Sequence, residues 1–111
     1  MIKMKREKSS FKNYTHVLSL DSIKQIAGGA RDFQYSLRCN GIQYIAEYKN
    51  GYQASILNYG FGGEHNLYEV AVLVDGEICY DTPVTEDVLG YVSEEEVVKI
   101  CSRIRNLKTI E

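Results

Sequence analysis

His65 follows Glu64 directly, an imidazole beside a carboxylate. That is the start of a general acid–base device, in which the acid orients the ring and the ring moves a proton. Such a device also needs a nucleophile in reach. Adjacent residues on an extended chain point to opposite faces, so the two are not expected to act as a pair. The preceding Gly60-Phe61-Gly62-Gly63 invites a phosphate-cradle reading. It matches neither GxGxxG nor GxxxxGK[ST], it leads into a strand pattern, and Glu64 stands where a cradle would place a lysine. The expectation is a loop whose tip, Tyr59, Phe61 and Glu64, is a contact surface.

Asp81, Glu86 and Asp87 gather acid oxygens that suit a divalent cation. They lack the D-x-D-x-D-G order of a calcium loop, and His16 and His65 lack ligand spacing. The expectation is a solvated negative face, with no metal and no cofactor. Cys39, Cys79 and Cys101 are odd in number, far apart and without a CxxC pair. Each occupies an apolar place in its local pattern, which predicts small buried hydrophobes and a reducing, cytoplasmic setting.

The charge is unevenly spread. Residues 1–32 carry a net of +4 and residues 33–111 a net of −6. From Asn50 to Val98 there is no Lys or Arg, while ten acidic residues lie between Glu64 and Glu96. Such a surface repels phosphate backbones and steers toward a basic protein partner. Only the basic tail, Lys3 to Lys12, would attract nucleic acid. No run of 18 apolar residues exists to span a membrane. Nine tyrosines suit half-buried sheet faces and interfaces, self-association among them.

These residues need a scaffold, and the hydrophobic periods predict one. Ser19 or Asp21 caps a short helix with Leu20, Ile23, Ile26 and Ala27 at helical spacing, stopped by Gly28-Gly29. Alternation of period two then runs through Phe33, Tyr35, Leu37 and Cys39. Asn40-Gly41 turns it into Ile42–Tyr48, and Asn50-Gly51 into Tyr52–Asn58. Leu67–Val74, apolar on both faces except Glu69, reads as a central strand. Asp75-Gly76 leads to a fifth strand over Glu77–Thr82, ended by Pro83. Thr85–Gly90 reads as a turn or short helix. Ser93 and Glu96 form a capping box for a final helix with Val97, Ile100, Cys101, Ile104 and Leu107 on one face. The predicted fold class is α+β: an antiparallel meander of about five strands against one C-terminal amphipathic helix, with a short N-terminal helix. Residues 1–30 are expected to form a basic tail and short helix, and residues 31–111 one domain with its core over 31–107.

Two resemblances add expectations. Leu18, Ser19, Ile23, Ile26, Gly28 and Gly29 resemble the double-glycine leader of secreted bacterial peptides, although Ser22 replaces that family's glutamate. The resemblance implies an exported precursor cut after Gly29. Residues 51–107 are similar to small uncharacterised bacteriophage and prophage proteins. That likeness runs through Gly51–Ser55, Tyr59-Gly60, Leu67–Leu73, Tyr80–Gly90 and the acidic-capped helix. It implies an accessory product that binds a host or defence protein. The leading expectation is therefore a non-catalytic protein-binding module. The alternative from another class is a nucleotide- or metal-binding enzyme using loop 59–66.

Overall fold

The computed structural model describes residues 16–85 and 87–110. The expected basic tail, Lys3 to Lys12, and Glu86 lie outside the described residues. Helix α1 (Leu20–Ala27) leads into strands β1 (Ala30–Arg38), β2 (Gly41–Tyr48) and β3 (Gln53–Leu57). A single 3-10 turn (Gly63–His65) precedes β4 (Tyr68–Val74), β5 (Glu77–Ile78), β6 (Leu89–Val92) and helix α2 (Glu94–Arg105). All strand pairs are antiparallel, in the order β1-β2-β3-β4-β5, and β6 also pairs with β4. The α+β meander expected from the periodicity is what forms.

The turns fall at or beside the pairs the sequence marks, the first of them one residue earlier than Asn40-Gly41. Arg38 pairs with Gly41 across Cys39-Asn40. Asp75 and Gly76, both at positive φ, turn β4 into β5. Strand partners then fix the face. Tyr44, Ala46 and Tyr48 on β2, Ala54 and Ile56 on β3, and Val70 and Val72 on β4 are buried with Val97, Cys101 and Ile104 of α2. Ala71 and Leu73, on the other face of β4, are buried as well, as a central strand requires.

Helix α2 begins as read. The Ser93 hydroxyl accepts the Glu96 amide at 3.2 Å, and the Glu96 carboxylate accepts the Ser93 amide at 3.1 Å. Its other end is closed by a residue from the β2–β3 turn. Buried Asn50 donates through Nδ2 to the carbonyls of Ile104, Arg105 and Leu107 at 2.8, 3.1 and 3.0 Å. Ile104 and Arg105 lie in the last turn of α2, where carbonyls lack an amide four residues on in the helix, although Ile104 also accepts the Leu107 amide at 3.1 Å. Asn50 thus does more than turn the chain.

The packing reaches further toward the N-terminus than residue 31. Leu18 and Ile26 belong to the core, and the Tyr48 hydroxyl donates to the Ile26 carbonyl at 2.7 Å. The buried side of α1 is Ser22 and Ile26, while Leu20 at its first position points out to solvent. Ser22 turns inward because its hydroxyl donates to Glu94 at 2.6 Å. Gly29, at φ 78, swings the chain from α1 into β1, and Arg105 donates to the Gly28 carbonyl at 2.9 Å.

Three local expectations change. The fifth strand is only Glu77–Ile78 rather than Glu77–Thr82. The expected turn or short helix at Thr85–Gly90 gives way to β6 from Leu89, held by backbone pairing to β4 that local sequence does not encode. Cys101 is buried, but Cys39 is exposed, because it sits in the β1–β2 turn beyond the covered part of the sheet. Cys79 is half-buried.

Candidate functional site

Strands β5 and β6 both run along the same edge of β4, opposite its Leu73–Val74 and Tyr68–Val70 ends. Together they make one interrupted strand. Where β6 returns to the edge, Tyr68 pairs with Val92 and Val70 with Leu89. Gly90 and Tyr91 therefore oppose the single residue Glu69, which is a β-bulge, a device that re-aims a side chain. Tyr91 sits at φ 55, the left-handed region that costs a bulky residue free energy. Tyr91 is 59% exposed.

Loop 59–66 closes over this bulge. The Tyr91 amide donates to the Phe61 carbonyl at 2.9 Å. The Glu69 carboxylate accepts the Phe61 amide at 2.9 Å, so Phe61 is held from both sides of its peptide unit. Two glycines make the approach possible. A Cβ on Gly62 would lie 2.8 Å from the Tyr91 backbone, and one on Gly90 would lie 2.5 Å from the Phe61 Cβ. Phe61 is 62% exposed, and the His65 ring lies 6.0 Å from the Tyr91 ring. Two large aromatic surfaces are thus presented to solvent on a backbone that is pinned by hydrogen bonds.

The residues singled out by sequence are only partly gathered here. Phe61 lies at the bulge, and Glu64, exposed, is on the adjoining 3-10 turn. Tyr59 leans the other way and is half-buried; its ring packs over Gly41 at the β1–β2 turn. Burial raises its hydroxyl above the ordinary pKa. Asp87 is exposed just before β6, where its carboxylate accepts the Val88 amide at 2.7 Å. Asp81 is elsewhere, in a hollow of about 850 Å³ beside β5, with Tyr52, Ile78, Tyr80 and Ile110. The stretch between these acids is pinned by buried Val84 and by Arg103, which donates to the Pro83 carbonyl at 3.2 Å. Tyr91 was missed by sequence reasoning. Its signal was weak: Gly90-Tyr91 looks like the end of a turn until β4 is known to lie beside it.

Glu64 and His65 occupy one 3-10 turn rather than an extended segment, and the His65 ring lies against Tyr91. Among the described residues, no group of three or more His, Cys, Asp or Glu side chains is arranged to hold a metal ion. Burial pushes the Cys101 thiol up to about 12, which keeps it protonated and unreactive inside the core. No described helix is long and apolar enough to cross a membrane. In comparisons with known proteins, no family model, curated protein or solved structure matches the chain.

Proposed function

We propose that this chain is a non-catalytic protein-binding module that grips its partner with Phe61 and Tyr91. The observation that carries this reading is the bulge at Gly90-Tyr91. A tyrosine held at φ 55 beside a phenylalanine, both more than half exposed, is a costly way to leave two aromatics in water. Rigid aromatics with few rotatable bonds are what interface hot spots use, because little entropy is lost on contact.

The surround supplies selectivity. Glu64 on the 3-10 turn and Asp87 just before β6 are both exposed, and the stretch from Asn50 to Val98 holds no Lys or Arg. An acidic rim speeds encounter with a basic surface and penalises an acidic one. The likeness of residues 51–107 to phage and prophage proteins supports a cytoplasmic modulator of a host or defence protein, for example one whose nucleic-acid groove the acidic face would enter.

Affinity capture tests this. Immobilised wild type and a Phe61→Ala/Tyr91→Ala variant are exposed to bacterial lysate at low and high salt. The proposal expects a protein with a basic surface that wild type retains at low salt and the variant does not. Equal retention by both forms would overturn the aromatic site. No retention even at low salt would overturn the binding role.

A further inference from the structure

Strand β1 is the first strand of the sheet, and among the described residues no strand pairs with its outer edge. The hydrogen bonds of β2 show which backbone groups of β1 are free. Ile42 gives its amide to Asn58 Oδ1 at 2.7 Å and its carbonyl to the Asn58 amide at 3.2 Å, so Ile42 faces β3. Tyr48 likewise gives its amide to the Tyr52 carbonyl at 2.9 Å. Its odd-numbered neighbours Gln43, Ile45 and Glu47 therefore face β1, where their partners are Ser36, Gln34 and Asp32. Phe33, Tyr35 and Leu37 are left with their amides and carbonyls pointing off the edge.

The side chains of the same residues are unusually bare. Phe33, Tyr35 and Leu37 pair with Ala46, Tyr44 and Ile42, and so lie on the face that the helices cover elsewhere. Yet Tyr35 is 66% and Leu37 78% exposed. Helix α1 packs near the Ala30 end of the strand, and nothing described covers the Leu37 end. Between Phe33 and Leu37 there is no proline, lysine or inward charge, the usual protections of an edge.

We propose that two copies of the chain join β1 to β1 in antiparallel fashion, about a two-fold axis at Tyr35. In that register Tyr35 faces Tyr35 of the other copy, and Phe33 faces Leu37. Residues with outward backbone groups then meet each other, so the ladder closes. On the outer face Asp32 falls opposite Arg38, twice by symmetry, and Gln34 opposite Ser36. Charge complementarity picks this register, because a shift of one pair sets Asp32 against Ser36. The antiparallel arrangement also lays the α1-bearing end of each strand beside the bare Leu37 end of the other. A strand that is self-complementary in charge, apolar face and backbone direction suits a two-fold partner better than an unrelated one.

Sedimentation of the full chain over a range of micromolar concentrations tests the pairing. Wild type is expected to dimerise. Asp32→Arg alone and Arg38→Asp alone each set like charges opposite twice, and should weaken the dimer by about tenfold. The double variant should recover most of that loss. Oxidation reads the register independently. Tyr35→Cys in a Cys39→Ser background should form a disulfide-linked dimer, because paired Cα atoms lie about 5.5 Å apart. Leu37→Cys in that background should not, because its symmetry mate is about four residues away along the strand. A monomer at every concentration would overturn the proposal, whether the edge is filled by the chain's own N-terminal segment or by a foreign strand. So would a double variant no tighter than the single ones, or equal crosslinking at positions 35 and 37.

Discussion

The Glu94 carboxylate, in the first turn of α2, accepts the Ser19 hydroxyl at 2.6 Å, and Ser19 is the N-cap of α1. One acid thus ties the beginnings of both helices. It accepts the Ser19 amide at 2.9 Å and the Ser22 hydroxyl at 2.6 Å as well. These bonds, the Ser19 hydroxyl first and Ser22 next, hold its pKa below the ordinary 4.5. A carboxylate with a depressed folded-state pKa stabilises fully above its unfolded value. That stabilisation is lost as pH falls through the lower folded value. Glu94→Gln is therefore expected to lower the urea midpoint at pH 7, and the gap from wild type should shrink at acid pH. A gap that is unchanged from pH 7 to pH 3 would show that the charge of Glu94 has no part in the contact.

Deleting the chain through Gly29 is expected to destroy most of its stability. The deletion removes buried Leu18 and Ile26, and leaves Glu94 and the Tyr48 hydroxyl without their α1 partners. Each large buried side chain is worth about 2–5 kcal/mol, against a total of about 5–15 kcal/mol for an ordinary domain. Urea unfolding followed by circular dichroism should lose its cooperative transition or shift far down. An unchanged midpoint would mean that α1 rests on the domain without supporting it.

Asn50 offers a sharper test of how α2 is closed. Asn50→Ala should cost about 1–3 kcal/mol, since it takes a side-chain donor from three carbonyls, of which Ile104 alone keeps the Leu107 amide. Asn50→Asp should cost more at pH 7, since it sets an anion against three carbonyl oxygens at the negative end of a helix. If Asp proves as stable as wild type in urea, the side-chain cap is not what holds the helix end.

What the sequence made legible was local. Ser93 and Glu96 stand three residues apart and bond to each other's backbone, so the capping box could be read from four letters. The turns at Asn50-Gly51 and Asp75-Gly76 were legible because Gly51, Asp75 and Gly76 take positive φ, and Asn40-Gly41 marked the first turn to within one residue. Strand β6 was not, because its stability comes from β4, some twenty residues earlier, and the Gly90-Tyr91 bulge breaks its alternation. For the same reason Phe61 was found without its neighbour Tyr91. Leu20 fitted a helical face but points to solvent, since the distant Glu94 pulls Ser22 inward. Tyr35 and Leu37 alternate like any buried strand, and only the extent of the helix layer shows that they are bare.

Gly90→Ala is expected to disturb binding without unfolding the chain. The added methyl would meet the Phe61 Cβ at 2.5 Å and push loop 59–66 off the bulge. Hydrogen exchange should show faster exchange at the Tyr91 amide, which donates to Phe61, while the amides of α2 keep their protection. Uniform loss of protection would instead place Gly90 in the folding core.

Binding through the bulge is tested most directly by the dissociation rate of a protein captured from lysate. That rate should be measured against wild type, Phe61→Ala, Tyr91→Ala and His65→Ala. Phe61→Ala and Tyr91→Ala should each release the partner about tenfold faster or more, since buried aromatic anchors set residence time. His65→Ala should release it at close to the wild-type rate, and reversal of Glu86 with Asp87 should slow association instead. Wild-type release from both aromatic variants, with loss of binding only in His65→Ala, would contradict the aromatic site and point to chemistry at the imidazole.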